Sequence, residues 1–245
     1  MTRQSSASIV AASVVGLLCV SVYVVGVQGC SATRAAPDMA APSTQPLVNT
    51  VEMVIAPDSV ANRLLLDVQR ANPRIGVELR YATSGNFMGA PLPGYRANRA
   101  SLRREAALAL GRVEERAERE GLRLHVFDAY RPARATAAMV AWTERAGRTD
   151  LLRDGYIASR SRHNLGLAVD LTLIDVAAAA PLDMGTAFDT FSPSAHTANA
   201  VGTPLANRLR LDHLMRAEGF VNYDQEWWHF TYSLPDPVRF DRVIE

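Results

Sequence analysis

The stretch "SRHNLGLAVDLTL", residues 161 to 173, places a histidine seven positions before an aspartate, across a glycine and into an alternating apolar run. The alternation predicts a strand, and because successive side chains of a strand point to opposite faces, Asp170 projects away from the face that carries Leu171. Gly166 supplies a small-residue turn that can bring His163 back towards Asp170. We therefore predict that these two side chains lie close together.

A second short stretch, "EWWH" at 226 to 229, adds a further histidine with a carboxylate three positions before it. Catalytic zinc takes three protein ligands from histidine and carboxylate side chains and leaves a fourth position for water. His163, Asp170 and His229 would supply that set. A lone histidine is more often an ordinary surface or core residue, and this is what we expect of the others, His125, His196 and His213.

Composition narrows the possible classes of function. The chain has 245 residues, 26 basic against 25 acidic side chains and a net charge of +1, without a long run of one sign, so nucleic acid is not an expected partner. Every basic residue is arginine, which excludes Schiff-base chemistry on lysine. Both cysteines fall within the first 30 residues, and no G-x-S-x-G motif occurs. Metal chemistry and other serine arrangements stay open.

The remaining patterns alternate helices and strands without a regular βαβ repeat. Ser101 is a plausible N-cap of a helix that Gly121 ends, and "LRLHVF" at 122 to 127 predicts a strand that leads into "DAYRP", where Pro132 can open another helix. The aromatic segment "FVNYDQEWWHFTY" predicts a further strand. We therefore expect an α+β fold, a single domain with a central antiparallel sheet flanked by helices and the zinc site on the sheet.

The N-terminus has the features of an export signal. Residues 1 to 30 contain an apolar run and end in "VQGC", which is similar to the lipobox of bacterial lipoproteins, with Cys30 as the lipidated residue. A retained signal anchor is the alternative, because the run is nearly long enough to span a bilayer. Residues 31 to 60 are rich in Ala, Pro and Ser and predict a tether, so 61 to 245 would form the folded domain. We expect an extracytoplasmic location, in the periplasm or cell envelope, and attachment to the membrane by the lipid or the anchor.

Three separated motifs, "DAYRP", "SRHNLGLAVD" and "EWWH", together resemble those of the zinc D-alanyl-D-alanine dipeptidases and their carboxypeptidase relatives. The segment "VELRYATSGNFMGAPLPGY" at 77 to 95 is similar to the N-terminal part of the dipeptidase branch, so the resemblance covers most of 75 to 232. It implies one zinc ion per chain and five functional side chains: His163, Asp170 and His229 as ligands, Glu226 as the catalytic base and Arg131 as the stabiliser of the transition state.

General chemistry agrees with these implied roles. A catalytic zinc ion lowers the pKa of water to about 7, so that Glu226 can take a proton and later pass it to the leaving amine. Arg131 would face the oxyanion, and loss of one such donor typically costs roughly a hundred- to a thousandfold in rate. A structural salt bridge is the alternative role for Arg131 in a chain so rich in arginine.

Two further positions concern the substrate. The resemblance implies that Asp189, in "DMGTAFDTF", captures the ammonium group of a dipeptide and so excludes longer peptides, with Asp183 as the nearby competitor. Ser161 resembles a family position that could hydrogen-bond the substrate. Turn or cap chemistry is the alternative for both Asp189 and Ser161. Asp128 is expected to order its own loop.

Taken together, the sequence predicts zinc-dependent hydrolysis of the D-alanyl-D-alanine dipeptide, in recycling or depletion of cell-wall dipeptides. The nearest alternative is a zinc D,D-carboxypeptidase or endopeptidase that acts on longer peptidoglycan peptides. A third possibility is a noncatalytic wall-binding lipoprotein with a structural zinc, which would have a closed four-ligand site and no use for Glu226 or Arg131.

Overall fold

The computed structural model describes residues 54 to 245, and within them the chain forms ten strands and six helices. The strands are β1 (Ile55–Ala56), β2 (Leu65–Asp67), β3 (Gly76–Val77), β4 (Ser101–Arg103), β5 (Leu122–Asp128), β6 (Ala168–Asp175), β7 (Ala180–Pro181), β8 (Val221–Tyr223), β9 (Glu226–Thr231) and β10 (Arg239–Phe240). The helices are α1 (Asp58–Leu64), α2 (Val68–Ala71), α3 (Arg104–Arg119), α4 (Ala133–Arg145), α5 (Asp150–Arg153) and α6 (Gly202–Arg216).

The central sheet has the strand order β3-β5-β6-β9-β8, with β7 paired to β6. Only β3 and β5 run parallel, and the other pairs are antiparallel. In this register Asp170 of β6 lies opposite Asp128 of β5 on one side and opposite His229 of β9 on the other. The predicted α+β fold with a mainly antiparallel sheet is confirmed, and the sheet brings three distant chain segments to one point.

Both faces of β6 are covered. The apolar set of Val169, Leu171 and Leu173 is fully buried, and Asp170 on the opposite face is only 2% exposed. An alternating pattern is typical of a strand with one solvated face, but here the second face is a polar interior. The helix α3 supplies part of the cover, with apolar residues at helical spacing that are all fully buried: Ala106, Leu110, Val113 and Ala117.

Residues 55 to 60, which the sequence assigned to the tether, take part in secondary structure. Ile55 and Ala56 pair in parallel with Arg239 and Phe240, and α1 begins at Asp58. The last residues of the predicted tether therefore belong to the fold, because they provide the strand partner of β10. The rest of the tether and the predicted export signal lie outside the described residues. Among the described helices, none is long and apolar enough to cross a membrane.

Two local predictions were wrong. Ser101 does not cap a helix, because it pairs with Asp67 as part of β4 and the helix starts at Arg104. The aromatic segment near the C-terminus is a hairpin rather than one strand, with β8 and β9 joined at residues 224 and 225. The amide of Asn222 stabilises this hairpin by donating to the carbonyls of Glu226 and His229, each over 3.0 Å.

Candidate metal centre and active site

Three side chains, His163, Asp170 and His229, converge at the centre of the sheet. Nδ1 of His229 lies 2.9 Å from Oδ1 of Asp170, and Nε2 of His163 lies 3.3 Å from Oδ2 of the same carboxylate. The two imidazole atoms are 3.2 Å apart, so one donor atom from each residue lies within 4.8 Å of the others. Two imidazoles and a carboxylate form the ligand set of many catalytic zinc sites, and the arrangement fits such an ion.

The backbone turn at Gly166 directs His163 to this point. His163 lies in a short 3₁₀ turn, Arg162–Leu165, and Gly166 closes the turn with a left-handed φ of 62°. A Cβ atom at Gly166 would lie 2.6 Å from Cδ2 of Leu65 and 3.1 Å from the backbone nitrogen of Arg103. Both the dihedral angle and the close approach of β4 therefore require glycine.

Hydrogen bonding and charge orient the three side chains towards one point. Nδ1 of His163 lies 2.6 Å from the carbonyl oxygen of Ala129, and because a carbonyl only accepts, Nδ1 donates there and Nε2 faces the centre. Burial lowers the pKa of His229 against the opposing effect of Asp170. Burial raises the pKa of Asp170, but the stronger effect of His163 and His229 holds it well below its usual range. A neutral imidazole and an ionised carboxylate result.

Arg131 lies beside these residues and is 8% exposed. Its Nε and Nη2 atoms donate to Oδ2 of Asp128 over 2.9 and 2.8 Å, and Nη2 lies 3.7 Å from Oδ2 of Asp170. Its Cζ atom lies 4.9 Å from the ring centroid of Tyr81. Among the described residues, Nη1 has only the sulfur of Met139 as a partner, at 3.4 Å, and thioether sulfur is a weak acceptor. The salt bridge with Asp128 therefore positions the guanidinium and leaves Nη1 able to meet a substrate oxygen.

Glu226 opens β9 three residues before His229. Its Oε2 atom lies 3.9 Å from Nδ1 of His229, and the residue is 8% exposed. Burial raises the pKa of the carboxyl well above its usual range, the charges of Asp170 and Asp189 raise it further, and Arg131 opposes them. A carboxyl in such surroundings readily holds a proton, as a general acid and base must.

Asp189 lies in a loop between β7 and α6 and lines the same cavity as the metal ligands. Its Oδ1 atom accepts from the hydroxyl of Tyr81 over 2.9 Å, whereas Oδ2 is buried and has no hydrogen-bond partner within residues 54 to 245. Burial raises the pKa of this carboxyl to about 8. Its backbone is left-handed, with φ of 59°, which is unusual for a residue other than glycine. Asp183, the competing candidate, accepts from Gly185 in a turn and does not line this cavity.

The other predicted positions have structural partners. Ser161 caps the 3₁₀ turn by accepting from the backbone nitrogen of His163 over 3.2 Å, although it also lines the cavity. Asp128 is fully buried and accepts from the hydroxyl of Tyr95 over 2.6 Å, which agrees with a role in ordering its loop. His125 and His196 contact Glu78 and Tyr156, and His213 lies exposed on α6, so none of the three joins the centre.

Sequence patterns missed two residues of the site. Tyr81 contacts both Asp189 and Arg131, and Asn164 donates to the carbonyl of Arg131 and to the hydroxyl of Thr136 over 2.9 Å each. Tyr81 lies in a segment without periodicity, so no spacing distinguishes it. Asn164 directly follows His163, and that adjacency was the available signal.

The cavity that unites these residues has a volume of about 510 Å³. Its walls contain the three candidate ligands together with Glu226, Arg131 and Asp189, and aromatic side chains complete them: Tyr81, Phe87, Tyr156, Phe191, Tyr223 and Trp228. Such a site can hold a metal, move a proton and bind a small cationic group within one largely apolar enclosure.

Comparison with known proteins agrees with this chemistry. Residues 61 to 243 match the model of a peptidase family described as D-ala-D-ala dipeptidase. The chain is 37% identical over 169 residues to a D-alanyl-D-alanine dipeptidase of Streptomyces coelicolor, covering 63% of this chain and 84% of the relative. It is 36% identical, with the same coverage, to a D-alanyl-D-alanine dipeptidase of Enterococcus faecium. A solved vancomycin-resistance D,D-dipeptidase is 17% identical with a TM-score of 0.37, over 69% of this chain and 66% of that one.

Proposed function

Because this chain belongs to the D-ala-D-ala dipeptidase family and is a metallopeptidase, we propose that it hydrolyses the D-alanyl-D-alanine dipeptide with zinc as its cofactor. The observation that carries the proposal is the common cavity. It joins a three-ligand centre to the carboxyl group of Asp189, which has a buried oxygen without a partner in residues 54 to 245.

His163, Asp170 and His229 would hold the zinc ion. When bound, the ion acts as a Lewis acid that polarises a carbonyl and lowers the pKa of water to about 7. The low pKa of Asp170 and the lowered pKa of His229 favour an ionised carboxylate and a neutral imidazole, the forms that bind a metal. The hydrogen bond from Nδ1 of His163 to Ala129 leaves Nε2 of that ring facing the centre. A structural zinc site normally has four protein ligands. Only three such side chains meet among the described residues, which favours catalysis over the noncatalytic alternative.

Glu226 would act as the general base and then as the general acid. It accepts a proton from the attacking water and returns that proton to the amine as the peptide bond breaks. Its burial and the neighbouring carboxylates favour the protonated form, so the carboxylate takes the proton readily and holds it until the amine leaves. Arg131 would stabilise the oxyanion through Nη1, while its salt bridge to Asp128 keeps the guanidinium in place.

Asp189 would select dipeptides by binding the free ammonium of the substrate. Its Oδ2 atom has no partner in the part of the chain that the structure describes, and an ammonium would supply the missing donors. A peptide with a further residue at this end would carry a neutral amide in place of the charge and would clash with the loop. The buried carboxylate would then remain unpaired, which is the strongest means of rejecting a wrong substrate.

The N-terminal sequence also supports a proposal about where in the cell the protein acts. We propose that the N-terminal 30 residues export the chain and that Cys30, or a retained anchor, attaches it to the membrane. An enzyme outside the cytoplasm would recycle or scavenge wall dipeptides, because depletion of precursors requires an enzyme in the cytoplasm. Mass spectrometry of the purified protein should show a chain that begins at an acylated Cys30 if lipidation anchors it, whereas a retained anchor would leave residues 1 to 29 in place.

A direct assay tests the reaction. The purified full-length chain, loaded with zinc in detergent, is incubated with D-alanyl-D-alanine and, separately, with a wall pentapeptide that ends in D-Ala-D-Ala. We expect free D-alanine from the dipeptide alone. Release from the pentapeptide instead would assign the protein to the carboxypeptidase alternative, and silence on both substrates with a zinc-loaded folded sample would reject the proposal.

A further inference from the structure

The loop that carries Asp189 has little regular structure of its own. Between β7 and α6 it contains only two short 3₁₀ turns, Pro193–Ala195 and Thr197–Asn199. Asp189, near the middle of this loop, adopts a left-handed backbone, which is strained for a residue other than glycine and persists only where the surroundings hold it. Something outside the loop must therefore fix its path.

Arg208, on α6, provides this fixation. The residue is 1% exposed, and each of its hydrogen bonds goes to a carbonyl of the loop: Nε to Met184 over 2.8 Å, Nη1 to His196 over 2.7 Å and Nη2 to Ser194 over 3.0 Å. The partners lie on both sides of Asp189, five residues before it and five and seven after it. One rigid guanidinium thus joins the two limbs of the loop, which are the segment before Asp189 and the segment after it.

The chemistry of the contact explains why arginine fits this place. Buried carbonyls need donors, and a loop without regular pairing leaves several of them without backbone partners. A guanidinium presents five N–H groups in a fixed planar fork, so it can satisfy three carbonyls at once, whereas the ammonium of lysine is a single point on a flexible stem. Burying a cation is costly, and here the three carbonyls and the charge of Asp183 offset part of that cost.

Two further hydrogen bonds hold the first limb, at residues 183 and 186. The amide of Asn207, next to Arg208 on α6, donates to the carbonyl of Asp183 over 2.8 Å, and the indole of Trp227 donates to the hydroxyl of Thr186 over 2.8 Å. After residue 186, the segment around Asp189 is held by the hydrogen bond from Tyr81 and by the aromatic contacts of Phe188. The second limb is held by Thr197, which bonds Asp224 and Asn222, and by the packing of Phe191 on Phe87. Arg208 adds hydrogen bonds to two of its carbonyls and so ties this limb to α6.

We propose that Arg208 is a positioning residue for substrate selection: by tying both limbs of the loop to α6, it holds the carboxylate of Asp189 at the cavity wall where the ammonium group of a dipeptide is recognised. This inference rests on the proposed role of Asp189. Arg208 touches neither the substrate nor the metal ligands, and acts through the loop alone.

The consequence can be measured as selectivity. In the wild type, D-alanyl-D-alanine should be preferred strongly over its N-acetyl derivative, which lacks the ammonium group. With Arg208→Met the three carbonyls lose their donors, and Asp189 leaves its left-handed conformation and loses its fixed position. We expect the ratio of kcat/KM for the free dipeptide over the N-acetyl compound to fall at least tenfold, chiefly through a higher KM for the free dipeptide.

The matched control is Arg210→Met on the same helix, because Arg210 is largely exposed and its Nε donates to Glu120. Its ratio should equal that of the wild type. If Arg208→Met lowers both rates by one common factor, the residue merely supports folding and the proposal is overturned. If that variant does not fold, Arg208→Lys serves in its place, since it keeps the charge but cannot match the fork, and the same fall in ratio is required of it.

A double-mutant cycle with Asp189→Asn tests the route of the effect. If Arg208 acts through Asp189, Arg208→Met changes the ratio in the wild-type background and leaves it unchanged in the Asp189→Asn background. Equal changes in both backgrounds would contradict the proposal.

Hydrogen exchange separates this inference from the proposed function. In zinc-loaded full-length protein, amides of residues 185 to 195 should exchange at least tenfold faster in Arg208→Met than in the wild type or Arg210→Met, while β6 and β9 keep their protection. Unchanged exchange in the loop overturns the positioning role whether or not the dipeptide is a substrate. Failure of the wild type to cleave either dipeptide, together with faster loop exchange, would reject the proposed function and retain Arg208 as the residue that fixes the loop.

Discussion

Asp170 and His229 face each other across the register of β6 and β9, and Nδ1 of the histidine lies 2.9 Å from Oδ1 of the aspartate. Strand pairing thus fixes the distance between two of the three candidate ligands before any ion is present. His163 reaches the same point from a turn and is held there by the carbonyl of Ala129. A preformed site of this kind should bind metal without large rearrangement of the backbone.

His229→Ala should abolish stoichiometric zinc binding, because it removes one of three donors and leaves Asp170 without a partner on β9. We expect metal analysis to give about one zinc per wild-type chain and far less in the variant. A chelator should lower the Tm of the wild type, since a ligand bound only by the folded state stabilises it, and should leave the Tm of the variant unchanged. His213→Ala, on the exposed side of α6, is the control and should behave as the wild type in both measurements.

Glu226→Gln should keep zinc and lose turnover. The amide preserves the shape of the side chain but cannot accept and return a proton, so we expect kcat to fall by roughly 10² to 10⁴. Glu105→Gln, on the exposed start of α3, changes the same functional group away from the cavity and should leave kcat intact. Retention of full activity by Glu226→Gln would show that another group transfers the proton.

Gly166→Ala should harm both stability and metal binding. The new Cβ would meet Leu65 at 2.6 Å and the backbone of β4 at 3.1 Å in a residue with φ of 62°. Gly121 has a similar φ of 71° but open space around it, so Gly121→Ala isolates the cost of the dihedral angle, about 1 kcal/mol. Denaturant unfolding should give a larger loss for Gly166→Ala than for Gly121→Ala, and only the former should weaken zinc binding. Equal losses of unfolding free energy in the two variants would mean that β4 moves aside at little cost.

Glu114→Gln should make stability less dependent on pH. Burial raises the pKa of the Glu114 carboxyl to about 7, although the backbone nitrogen of Leu124 donates to it over 2.7 Å. The folded state therefore binds more protons than the unfolded state between pH 4.5 and 7, and stability falls as pH rises through that window. The loss should be on the order of 2 kcal/mol in the wild type, and glutamine should remove most of it.

Unfolding of wild type and Glu114→Gln at a series of pH values from 4 to 8 measures this contribution. The exposed neighbour Glu115→Gln should follow the wild-type curve. If the wild type and Glu114→Gln have parallel curves across the window, Glu114 ionises in the folded protein as it does in the unfolded chain.

The sequence allowed prediction of those parts of the site that local pattern controls. Alternation in 167 to 173 predicted β6 and the direction of Asp170, and the glycine at 166 predicted the turn that returns His163 to it. Tyr81 and the carbonyl of Ala129 escaped prediction, because their roles depend on which segments the sheet places side by side. No spacing along the chain encodes that information.

Ser101 shows how tertiary pairing overrides a local preference. Serine is a favoured N-cap, but the backbone of 101 to 103 pairs with β2, and the carbonyl of Ser101 accepts from Tyr130. These long-range bonds delay the helix to Arg104. Arg208 was not predicted for a similar reason. A single arginine in a helical pattern is typical of a solvent-exposed position, and only the tertiary contact with the loop buries it.

The pairing of β1 with β10 has a mechanical consequence. A pull on the chain from its N-terminal side would first load the hydrogen bonds that link Ile55 and Ala56 to Arg239 and Phe240. These four residues form a two-stranded sheet of their own, separate from the six strands that hold the metal ligands. A force applied at the N-terminal side of residue 55 would therefore act on the β1–β10 pair before it acts on the sheet that holds the three candidate ligands.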